Sequence, residues 1–270
     1  MRLGIGSYTY MWSIGLPGAQ PERPMTALDL LAQAVELGVR LVQIGPNLPL
    51  HKLSALELDL VAGWARERNI ELEVGTRGLD ADHMRRYLAI ATRVGASLLR
   101  TVPENEDCNE PSIGKISSRL SAILPDLAEA KVRLAVENSR IPAEGLAQLM
   151  EAIRSPWVGI TLDTANSVAI PEGWRHVTRA LAPHTMCLHI KDFLIQRAWH
   201  QMGFILEGRP AGKGQLDIPW LLETLRGAGV SPNVILELWP PEQRSLAATI
   251  ALEHAWASES IQYLRQYIPD

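Results

Sequence analysis

The sequence predicts an α/β fold, and more specifically a (β/α)8 TIM barrel, from three observations. Short apolar runs alternate with helical patterns along the whole chain, as expected where strands and helices alternate. The length of 270 residues is close to the size of one such barrel, roughly 250 residues. No Ser/Gly-rich linker interrupts the pattern, so residues 1–270 are expected to form a single TIM-barrel domain.

The predicted strands are short apolar runs, which is typical of parallel strands buried on both faces. They are placed at Leu3–Ser7, Leu41–Ile44, Ile70–Val74, Leu98–Thr101, Arg133–Glu137, Val158–Leu162, Met186–Ile190 and Val234–Glu237. An open doubly wound sheet would give a similar alternation. However, no strand is followed by a Gly-x-Gly-x-x-Gly turn that opens a helix, so the closed barrel is the preferred prediction.

The predicted helices begin and end at residues with capping chemistry. Thr26 can cap the first helix and Gly38 can end it, and Ser54 with Glu57 has the spacing of a capping box. Gly95 can end the third helix in the same way as Gly38 ends the first. The helices are placed at Thr26–Leu37, Ser54–Arg68, Asp80–Val94, Ser112–Ala130, Pro142–Ile153, Gly173–Leu181, Ile218–Ala228 and, with less definite ends, Ser245–Gln266.

Composition and charge argue against several classes of partner. Hydrophobic residues make up 47% of the chain, and the net charge of −4 gives no electrostatic reason to expect nucleic acid as a partner. No apolar stretch approaches the roughly 20 residues of a membrane span, so no membrane partner is expected. The first residues lack a signal-peptide pattern, and the two cysteines, Cys108 and Cys187, lie in different units. We therefore expect a cytoplasmic protein.

Four of the predicted strands end in side chains that bind metal ions: Glu137, Asp163, His189 and Glu237. The first two intervals are each close to one βα unit, roughly thirty residues, and the last allows one unit with an enlarged loop. Since the carboxyl ends of barrel strands meet at one catalytic face, the four side chains are predicted to form one site. This oxygen-rich set suits one divalent ion, either Mn²⁺, Mg²⁺ or Co²⁺, with Zn²⁺ as a further alternative.

Taken one at a time, these residues also have structural interpretations. Glu137 or Glu237 could be a solvated or salt-bridged residue at a strand end, and Asp163 could cap the following helix. A lone histidine in an apolar run, such as His189, is more often a satisfied core residue than a ligand. Convergence at one end of a barrel makes the metal site the stronger hypothesis for the set.

A second group of polar residues forms the candidate substrate-binding set. Arg100 suits a carboxylate or a phosphate, because its guanidinium binds such groups with two parallel hydrogen bonds. Lys191 should face the same way as His189, since alternate residues of a strand point to one side. The full set is Tyr8, Gln43, Arg100, Asn166, Lys191 and Arg209.

Residues 193–216 form a long insertion after the seventh strand, and they could act as a lid that includes Arg197 and His200. The Gly208–Gly214 part of this insertion has flexible backbone amides, together with Arg209 and Lys213, that could hold an anionic substrate group. It lacks the Lys-Ser/Thr ending of a P-loop. An ordinary surface loop is the alternative.

Five segments carry the most specific motifs: Val-Glu-Asn at 136–138, Leu-Asp-Thr-Ala-Asn at 162–166, His-Ile-Lys-Asp at 189–192, Gly-Lys-Gly-Gln-Leu-Asp-Ile at 212–218 and Leu-Glu-Leu at 236–238. Together they resemble the sugar phosphate isomerase/epimerase family, which has a xylose isomerase-like TIM barrel. The resemblance implies that Glu137, Asp163, His189 and Glu237 bind one divalent ion. It also implies that Glu137 and Glu237 are the catalytic acid and base, and that the protein is a homo-oligomer, either a dimer or a tetramer.

Two positions depart from the ketose 3-epimerases of that family. Asn166 stands where these enzymes have a histidine, and Ala143 stands where they have a second glutamate. A narrower branch, the 3-oxo-isoapionate decarboxylases, is similar to this chain at residues 8–13, 43–50 and 237–242.

The resemblance therefore implies a divalent-metal-dependent enzyme of the isomerase/epimerase type that acts on a small sugar or oxo sugar acid. A decarboxylase of a 3-oxo sugar acid in carbohydrate catabolism is the alternative. Both reactions share an enediolate whose charge the metal ion stabilises, so the metal motif does not distinguish them.

Two further functions stay open. Apurinic endonucleases share the barrel and part of the motif set, but they use more histidines than this chain offers, and the acidic net charge argues against a DNA-binding groove. A barrel that binds a sugar without catalysis is the other alternative, and the complete set of four ligands argues against it.

Overall fold

A computed structural model describes residues 1–104 and 111–269. Cys108, one of the two cysteines considered above, lies outside these residues. The strands are β1 Leu3–Gly6, β2 Leu41–Ile44, β3 Glu71–Arg77, β4 Leu98–Val102, β5 Arg133–Glu137, β6 Val158–Asp163, β7 Thr185–Ile190, β8 Asp192–Arg197, β9 Phe204–Arg209 and β10 Asn233–Leu236. In the described residues eight of them, all parallel, close into a barrel in the order β1-β10-β7-β6-β5-β4-β3-β2. This confirms the predicted (β/α)8 fold class.

The helices alternate with the barrel strands, and the eight predicted helices begin and end close to the predicted residues, whereas the short helices α1 and α7 were not predicted. They are α1 Met11–Ile14, α2 Ala27–Glu36, α3 Ala55–Glu67, α4 Ala81–Val94, α5 Ile113–Ala130, α6 Ala143–Ile153, α7 Asn166–Ala169, α8 Trp174–Leu181, α9 Ile218–Gly227 and α10 Leu246–Leu264. Thr26 and Ser54 form capping boxes at the starts of α2 and α3, as predicted. Gly38 and Gly95 have positive φ angles of 71° and 75°, as helix-ending glycines do.

The inside of the barrel changes from apolar to polar along the strand direction. An inner apolar layer is formed by Leu41, Leu98, Ala135, Cys187 and Ile235. Inward-facing residues of a strand recur every second position, and two positions further along the same strands the chain places Gln43, Arg100, Glu137, His189 and Glu237. All five of these polar side chains are buried. The fold thus gathers a ring of polar side chains directly above an apolar floor.

The segment predicted as a long loop or lid contains a β-hairpin. β8 and β9 pair with each other in antiparallel register and form a two-stranded sheet outside the barrel. The hairpin begins two residues after the barrel strand β7 ends, so it rises from the face of the barrel where the polar ring lies. Among the helices in the described part of the chain, none is both long enough and apolar enough to cross a membrane.

Candidate active site

The imidazole of His189 lies at the centre of the polar ring. Its Nδ1 atom is 3.4 Å from Glu137 Oε2, 3.7 Å from Asp163 Oδ2 and 3.3 Å from Glu237 Oε1. All four side chains are buried. Ligand atoms of Glu137, Asp163 and His189 all lie within 4.8 Å of one another. The structure therefore brings together the four residues that the sequence predicted as a metal site.

Hydrogen bonds below the ring fix the tautomer of His189. Its Nε2 atom is 2.8 Å from Gln43 Oε1, and Gln43 Nε2 donates at 2.8 Å to Glu73 Oε2. Because the carboxylate of Glu73 orients the Gln43 amide, the amide oxygen faces His189 and accepts the Nε2 proton. In the neutral imidazole the Nδ1 atom then carries the lone pair, and among the described residues Nδ1 has no hydrogen-bond partner.

Asp163 serves two purposes with its two carboxylate oxygens. Oδ1 accepts hydrogen bonds from the backbone N–H groups of Ala165 and Asn166, both at 2.8 Å. These bonds close the turn that precedes α7, and the N-cap residue of α7 is Ala165 rather than Asp163, as the sequence had allowed. Oδ2 faces His189 and Lys191 instead. The two bonds to the turn therefore hold Asp163 in place and leave one oxygen directed into the ring.

Both carboxylate oxygens of Glu137 are occupied by side-chain donors. Arg100 Nε donates to Oε2, and Asn166 Nδ2 donates to Oε1 at 3.0 Å. Arg100 and Glu137 are both buried, so this ion pair is screened little by solvent. The structure thus places two residues of the predicted substrate-binding set directly on a predicted metal ligand.

Lys191 lies between two further carboxylates. Its Nζ atom is 2.6 Å from Asp163 Oδ2 and 2.7 Å from Glu237 Oε2. Both oxygens nevertheless lack a well-aligned hydrogen bond, so we regard these contacts as charge pairing. His189 and Lys191 face the same side of the chain, as the alternation along β7 predicted.

The pKa shifts in this cluster reflect burial and the pairing of opposite charges. Burial opposes ionisation, but the Lys191 ammonium holds the pKa of Asp163 below its ordinary value. His189 and Lys191 likewise lower the pKa of Glu237 against the effect of burial. For the imidazole of His189, burial would lower the pKa, but the carboxylates of Glu237 and Glu137 prevail and raise it. The three buried carboxylates thus contact Arg100 and Lys191, and His189 adds a third positive charge when its imidazole is protonated.

These residues fit a divalent metal ion. In the neutral imidazole the lone pair on His189 Nδ1 faces three carboxylate oxygens, and either a proton on Nδ1 or a cation between these atoms removes the repulsion. Ligand atoms at about 2.1 Å from one ion lie about 3.0–3.4 Å apart, close to the distances around Nδ1. The donor set of oxygens and one imidazole nitrogen is chemically suited to a divalent cation.

Tyr8 lies at the edge of this cluster. Its pKa is raised by burial, and the charges that act on it come mainly from Arg100, Glu237 and Arg77. The phenol therefore stands among the charged groups of the site. In contrast, Gln43 contacts His189 and Glu73 from below, so within the described residues both ends of its amide have protein partners.

Arg209 is not brought to the cluster in the described part of the structure. It lies at the end of β9, where its guanidinium contacts Glu207 at 2.7 Å and the carbonyl oxygen of Gly208 at 2.7 Å. The neighbouring Lys213 pairs with Glu259 at 3.5 Å. Neither cation contacts the residues around His189 in this arrangement.

The backbone amides of the Gly-rich loop bind an internal carboxylate. Gly212 N and Gly214 N donate to Asp192 Oδ2, both at 2.9 Å. Leu216 N and Phe193 N donate to Asp192 Oδ1 at 3.0 and 2.8 Å. The hypothesis that these amides hold a substrate anion is therefore wrong. They anchor the loop to Asp192, the residue that follows Lys191.

Sequence reasoning missed Asn138 as a site residue. Its side-chain oxygen accepts from Asp163 N at 2.6 Å, and its side-chain nitrogen donates to Asp163 O at 3.1 Å. Both atoms of the Asn138 amide thus fix the backbone of a metal-ligand candidate on the neighbouring strand. A buried asparagine directly after Glu137 is the signal that could have indicated this role.

A second group of ligand-type residues lies at the surface. His176 Nε2 is 2.6 Å from Glu144 Oε1, and the carboxylate of Glu172 accepts hydrogen bonds from Ala143 N at the start of α6. Glu144 and His176 are exposed. The group is explained by helix capping and a surface ion pair.

The chain is similar to known proteins over most of its length. A family model described as xylose isomerase-like TIM barrel matches residues 31–267. The 3-oxo-isoapionate decarboxylase of Pectobacterium atrosepticum is 32% identical over 265 residues, which are 98% of this chain and 95% of that protein.

Two solved structures share the fold at low sequence identity. A crystal structure of D-psicose 3-epimerase in the presence of D-fructose superposes with a TM-score of 0.74 at 15% identity, covering 100% of both chains. A xylose isomerase-like TIM barrel protein from Mycobacterium smegmatis in complex with magnesium has a TM-score of 0.67 at 14% identity, covering 97% of each chain.

Proposed function

The chain belongs to the xylose isomerase-like TIM barrel family, and from this premise we propose that it is a divalent-metal-dependent enzyme. The substrate is a small sugar or oxo sugar acid, and the reaction passes through an enediolate. The observation that carries the proposal is the buried Nδ1 atom of His189, which has three carboxylates around it and no hydrogen-bond partner in the structure.

Glu137, Asp163, His189 and Glu237 would hold the ion. A divalent cation bound there supplies Lewis-acid stabilisation for negative charge that develops on substrate oxygens. Mn²⁺, Mg²⁺ and Co²⁺ suit the oxygen-rich donor set best, with Zn²⁺ as an alternative. The magnesium complex of the M. smegmatis barrel is a precedent within the same fold.

Proton transfer is assigned to Glu237 rather than divided equally between two glutamates. Both oxygens of Glu137 already accept hydrogen bonds from Arg100 and Asn166, so a proton arriving at Glu137 would break one of them. Glu237 has no aligned hydrogen bond to its Oε2 atom. Its lowered pKa keeps it ionised near neutral pH, as a base that removes a proton next to a carbonyl must be. Glu137 acts mainly as a fixed anion.

Decarboxylation is the second candidate reaction, beside isomerisation or epimerisation. It is favoured because Glu137 accepts two side-chain hydrogen bonds, whereas Glu237 Oε2 accepts none from the described residues. An epimerase of the two-base type needs two free carboxylates, one on each face of the substrate. A decarboxylase needs only one proton donor: the bond to the carboxylate carbon breaks, its electron pair forms the enediolate, CO₂ leaves, and one proton is added to the carbon. The 3-oxo-isoapionate decarboxylase is also the full-length relative described above.

Substrate contacts are assigned to the charged and polar groups at the mouth of the ring. The Lys191 ammonium contacts Glu237 and is positioned to bind a substrate carboxylate or to supply the proton. Tyr8 lies in the field of Arg100, Glu237 and Arg77 and can donate to a substrate oxygen. Arg100 and Asn166 act on substrate through Glu137, and Gln43 acts through His189. Arg209 lies opposite Asp192 in the hairpin and contacts Glu207, so we assign it no contact with the substrate.

The small sugar or sugar-acid substrate is the partner for which the site is built, and we expect the protein to be a homo-oligomer. The free thiol of Cys187, buried in the apolar floor, is consistent with a reducing compartment such as the cytoplasm.

A substrate panel with two separate readouts tests the proposal. The purified protein is stripped of metal, reloaded with Mn²⁺, Mg²⁺ or Co²⁺, and incubated with ketoses and with 3-oxo sugar acids. Isomer formation and deuterium uptake from solvent are followed by NMR, and CO₂ release is followed separately. CO₂ release without isomer formation identifies a decarboxylase, and the reverse identifies an isomerase or epimerase.

Glu237→Gln and the surface variant Glu259→Gln are the matched pair for this panel. We expect Glu237→Gln to lose turnover by at least about a thousandfold while keeping the far-UV circular dichroism of the fold. Glu259 is exposed on α10, so its variant should keep full activity. Retained turnover in Glu237→Gln, or in metal-stripped protein, would contradict the proposal.

A further inference from the structure

A cleft lies at the end of the barrel opposite the polar ring around His189. It has a volume of about 550 Å³, and its polar lining residues are Arg2, Arg40, Arg66, Asn69 and Glu71. Arg2 and Arg40 directly precede β1 and β2, and Glu71 begins β3, so the cleft opens where these three strands start. Its size falls within the range of small-molecule sites, roughly 300–1,000 Å³.

Positive charge is concentrated in this cleft, although the whole chain carries a net charge of −4. Three of the polar lining residues are arginines, and Glu71 is the one carboxylate among the lining residues that the structure describes. Glu71 is already engaged, because Arg2 pairs with its Oε2 atom and Asn233 Nδ2 donates to its Oε1 atom at 3.3 Å. It therefore does not neutralise the other two arginines.

The guanidinium groups of Arg40 and Arg66 contact no carboxylate within the described part of the chain. Arg40 Nη1 donates to the backbone oxygen of Arg68, and Glu67 pairs with Arg68 at 3.1 Å rather than with its neighbour Arg66. Arg66 lies in the last turn of α3, where positive charge is favourable, but this location gives its N–H groups no acceptor. Two guanidinium groups that line one cleft repel each other, and an anion bound between them removes that repulsion.

We propose that this cleft binds a small molecule that carries two phosphate groups. The planar guanidinium fork matches phosphate oxygens with two parallel hydrogen bonds, so Arg40 and Arg66 can each hold one phosphate group. The side-chain amide of Asn69 lines the same cleft and can donate to a further oxygen. The cleft lies at the other end of the barrel from His189 and Glu237, so this site does not depend on the proposed enzyme function.

The shape and the charge of the cleft favour a small molecule over a nucleic acid. A nucleic acid needs a basic surface that follows its phosphate backbone, whereas these arginines are confined to one cleft of an acidic chain. Leu3 and Ile70 also line the cleft and supply an apolar surface beside the arginines. The organic part of a phosphorylated metabolite can pack on that surface while its phosphate groups contact the guanidinium groups.

Isothermal titration calorimetry with pyrophosphate tests the site at a constant ionic strength of about 0.15 M. The full chain is freed of metal, so that pyrophosphate does not bind a metal ion instead. We expect a dissociation constant below about 1 mM, and binding at least about tenfold weaker in Arg40→Gln and in Arg66→Gln, because each loses charge-assisted hydrogen bonds. Arg23→Gln is the matched control, since Arg23 is an exposed arginine outside the cleft and its loss changes the net charge equally. Absence of binding, or equal binding by the three variants, overturns the proposal, and because no turnover is measured these outcomes are separate from a failure of the enzyme function.

Side-chain NMR of the wild-type chain keeps the proposal testable if a variant misfolds. The arginine Nε–H resonances of Arg40 and Arg66 should shift on titration with pyrophosphate, while that of Arg23 should not. Inorganic phosphate should bind at least about tenfold more weakly than pyrophosphate, because one phosphate group does not engage both guanidinium groups. ADP that binds more tightly than pyrophosphate identifies an organic diphosphate as the ligand, and ADP that binds no more tightly identifies free pyrophosphate. Unshifted resonances of Arg40 and Arg66, or inorganic phosphate that binds as tightly as pyrophosphate, overturn the proposal.

Discussion

His189 Nε2 lies 2.8 Å from Gln43 Oε1, and this contact connects a candidate metal ligand to the interior of the barrel. Gln43 is held in turn by Glu73, which also accepts a hydrogen bond from Asn233 at 2.8 Å. All three members of the chain from His189 to Glu73 are buried. The proton on Nε2 therefore has a fixed acceptor, and the lone pair on Nδ1 is directed at the carboxylates.

We predict that Gln43→Met raises the dissociation constant for Mn²⁺ by about tenfold to a hundredfold, because residues that orient a metal-binding histidine contribute on that scale. Isothermal titration calorimetry of the metal-stripped protein measures it. Gln262→Met, at an exposed position of α10, is the control and should bind Mn²⁺ as the wild-type chain does. An unchanged affinity in Gln43→Met would show that the contact does not position His189.

Much of the site was predictable because its residues follow from the strand periodicity. Glu137, His189 and Glu237 each come two positions after a residue of the apolar floor, and short apolar runs reveal that floor in the sequence. The bonding partners of Gln43 and Arg209 were not predictable. A polar residue near a strand end meets either a substrate or a protein group, and which one depends on neighbours that lie far away in the sequence.

Neither the β-hairpin nor the anchoring of the Gly-rich loop to Asp192 was predicted from the sequence, and the reason is related. The runs Phe193–Ile195 and Phe204–Leu206 are short apolar strands, but the parallel barrel has no place for them, so the segment was predicted as a loop. The sequence left the amides of the Gly-rich loop open between a substrate anion and an ordinary surface loop, whereas the structure shows that Asp192 supplies the anion from within the chain. Sequence alone does not show that Asp192 folds back onto residues twenty positions later.

Lys191 gives a prediction about the metal-free protein. Its ammonium neutralises Asp163 and Glu237, so Lys191→Met should leave buried carboxylates without a counter-charge and lower the free energy of unfolding by about 3 kcal/mol. Saturating Mn²⁺ should recover most of that loss, because the ion replaces the missing positive charge. Urea denaturation with and without Mn²⁺ measures both effects.

Lys213→Met is the control for Lys191→Met. Lys213 is an exposed residue that pairs with Glu259 at 3.5 Å, so its loss should change stability by less than about 0.5 kcal/mol. Equal stability of the two variants, or a loss in Lys191→Met that Mn²⁺ does not reverse, would mean that Lys191 does not neutralise the site.

Gly214 tests the anchoring of the loop to Asp192. A Cβ atom at this position would lie 2.2 Å from Asp192 Oδ1 and 2.4 Å from the backbone oxygen of Phe193. Gly214→Ala should therefore destabilise the fold by about 1–3 kcal/mol.

Gly63→Ala is the contrast, because nothing lies within 4 Å of a Cβ atom there and the residue is in α3. It should stabilise the fold by roughly 0.5–1 kcal/mol. Thermal denaturation measures the stability of both variants. An unchanged melting temperature in Gly214→Ala would show that the loop shifts to accept the added methyl group.

Glu253 is a buried carboxylate outside the candidate metal site. Its oxygens accept hydrogen bonds from Trp12 N at 2.8 Å, Ser13 N at 2.9 Å and Ser13 Oγ at 2.6 Å. These bonds attach α1, which follows Tyr8, to the C-terminal helix α10. Burial is the dominant influence and raises the pKa of Glu253 from 4.5 to about 7, although the three hydrogen bonds oppose it.

The raised pKa predicts a specific dependence of stability on pH. A carboxyl whose pKa is higher in the folded state stabilises the fold below its ordinary pKa of 4.5, and that stabilisation is lost as the pH rises through about 7. The free energy of unfolding should therefore fall by roughly 2 kcal/mol from this group alone between about pH 5 and about pH 8. His254, which lies 3.4 Å from Ser13 Oγ, has a lowered pKa and acts in the opposite direction over part of this range.

Because His254 also titrates, the pH profile of the wild-type chain is compared with the profiles of variants. Glu253→Gln should lack the roughly 2 kcal/mol fall that the wild-type chain and Glu259→Gln both retain, because it keeps His254 and removes only the titrating carboxyl. Parallel pH profiles for the wild-type chain and Glu253→Gln would mean that Glu253 titrates normally, and that the connection between α1 and α10 is insensitive to pH.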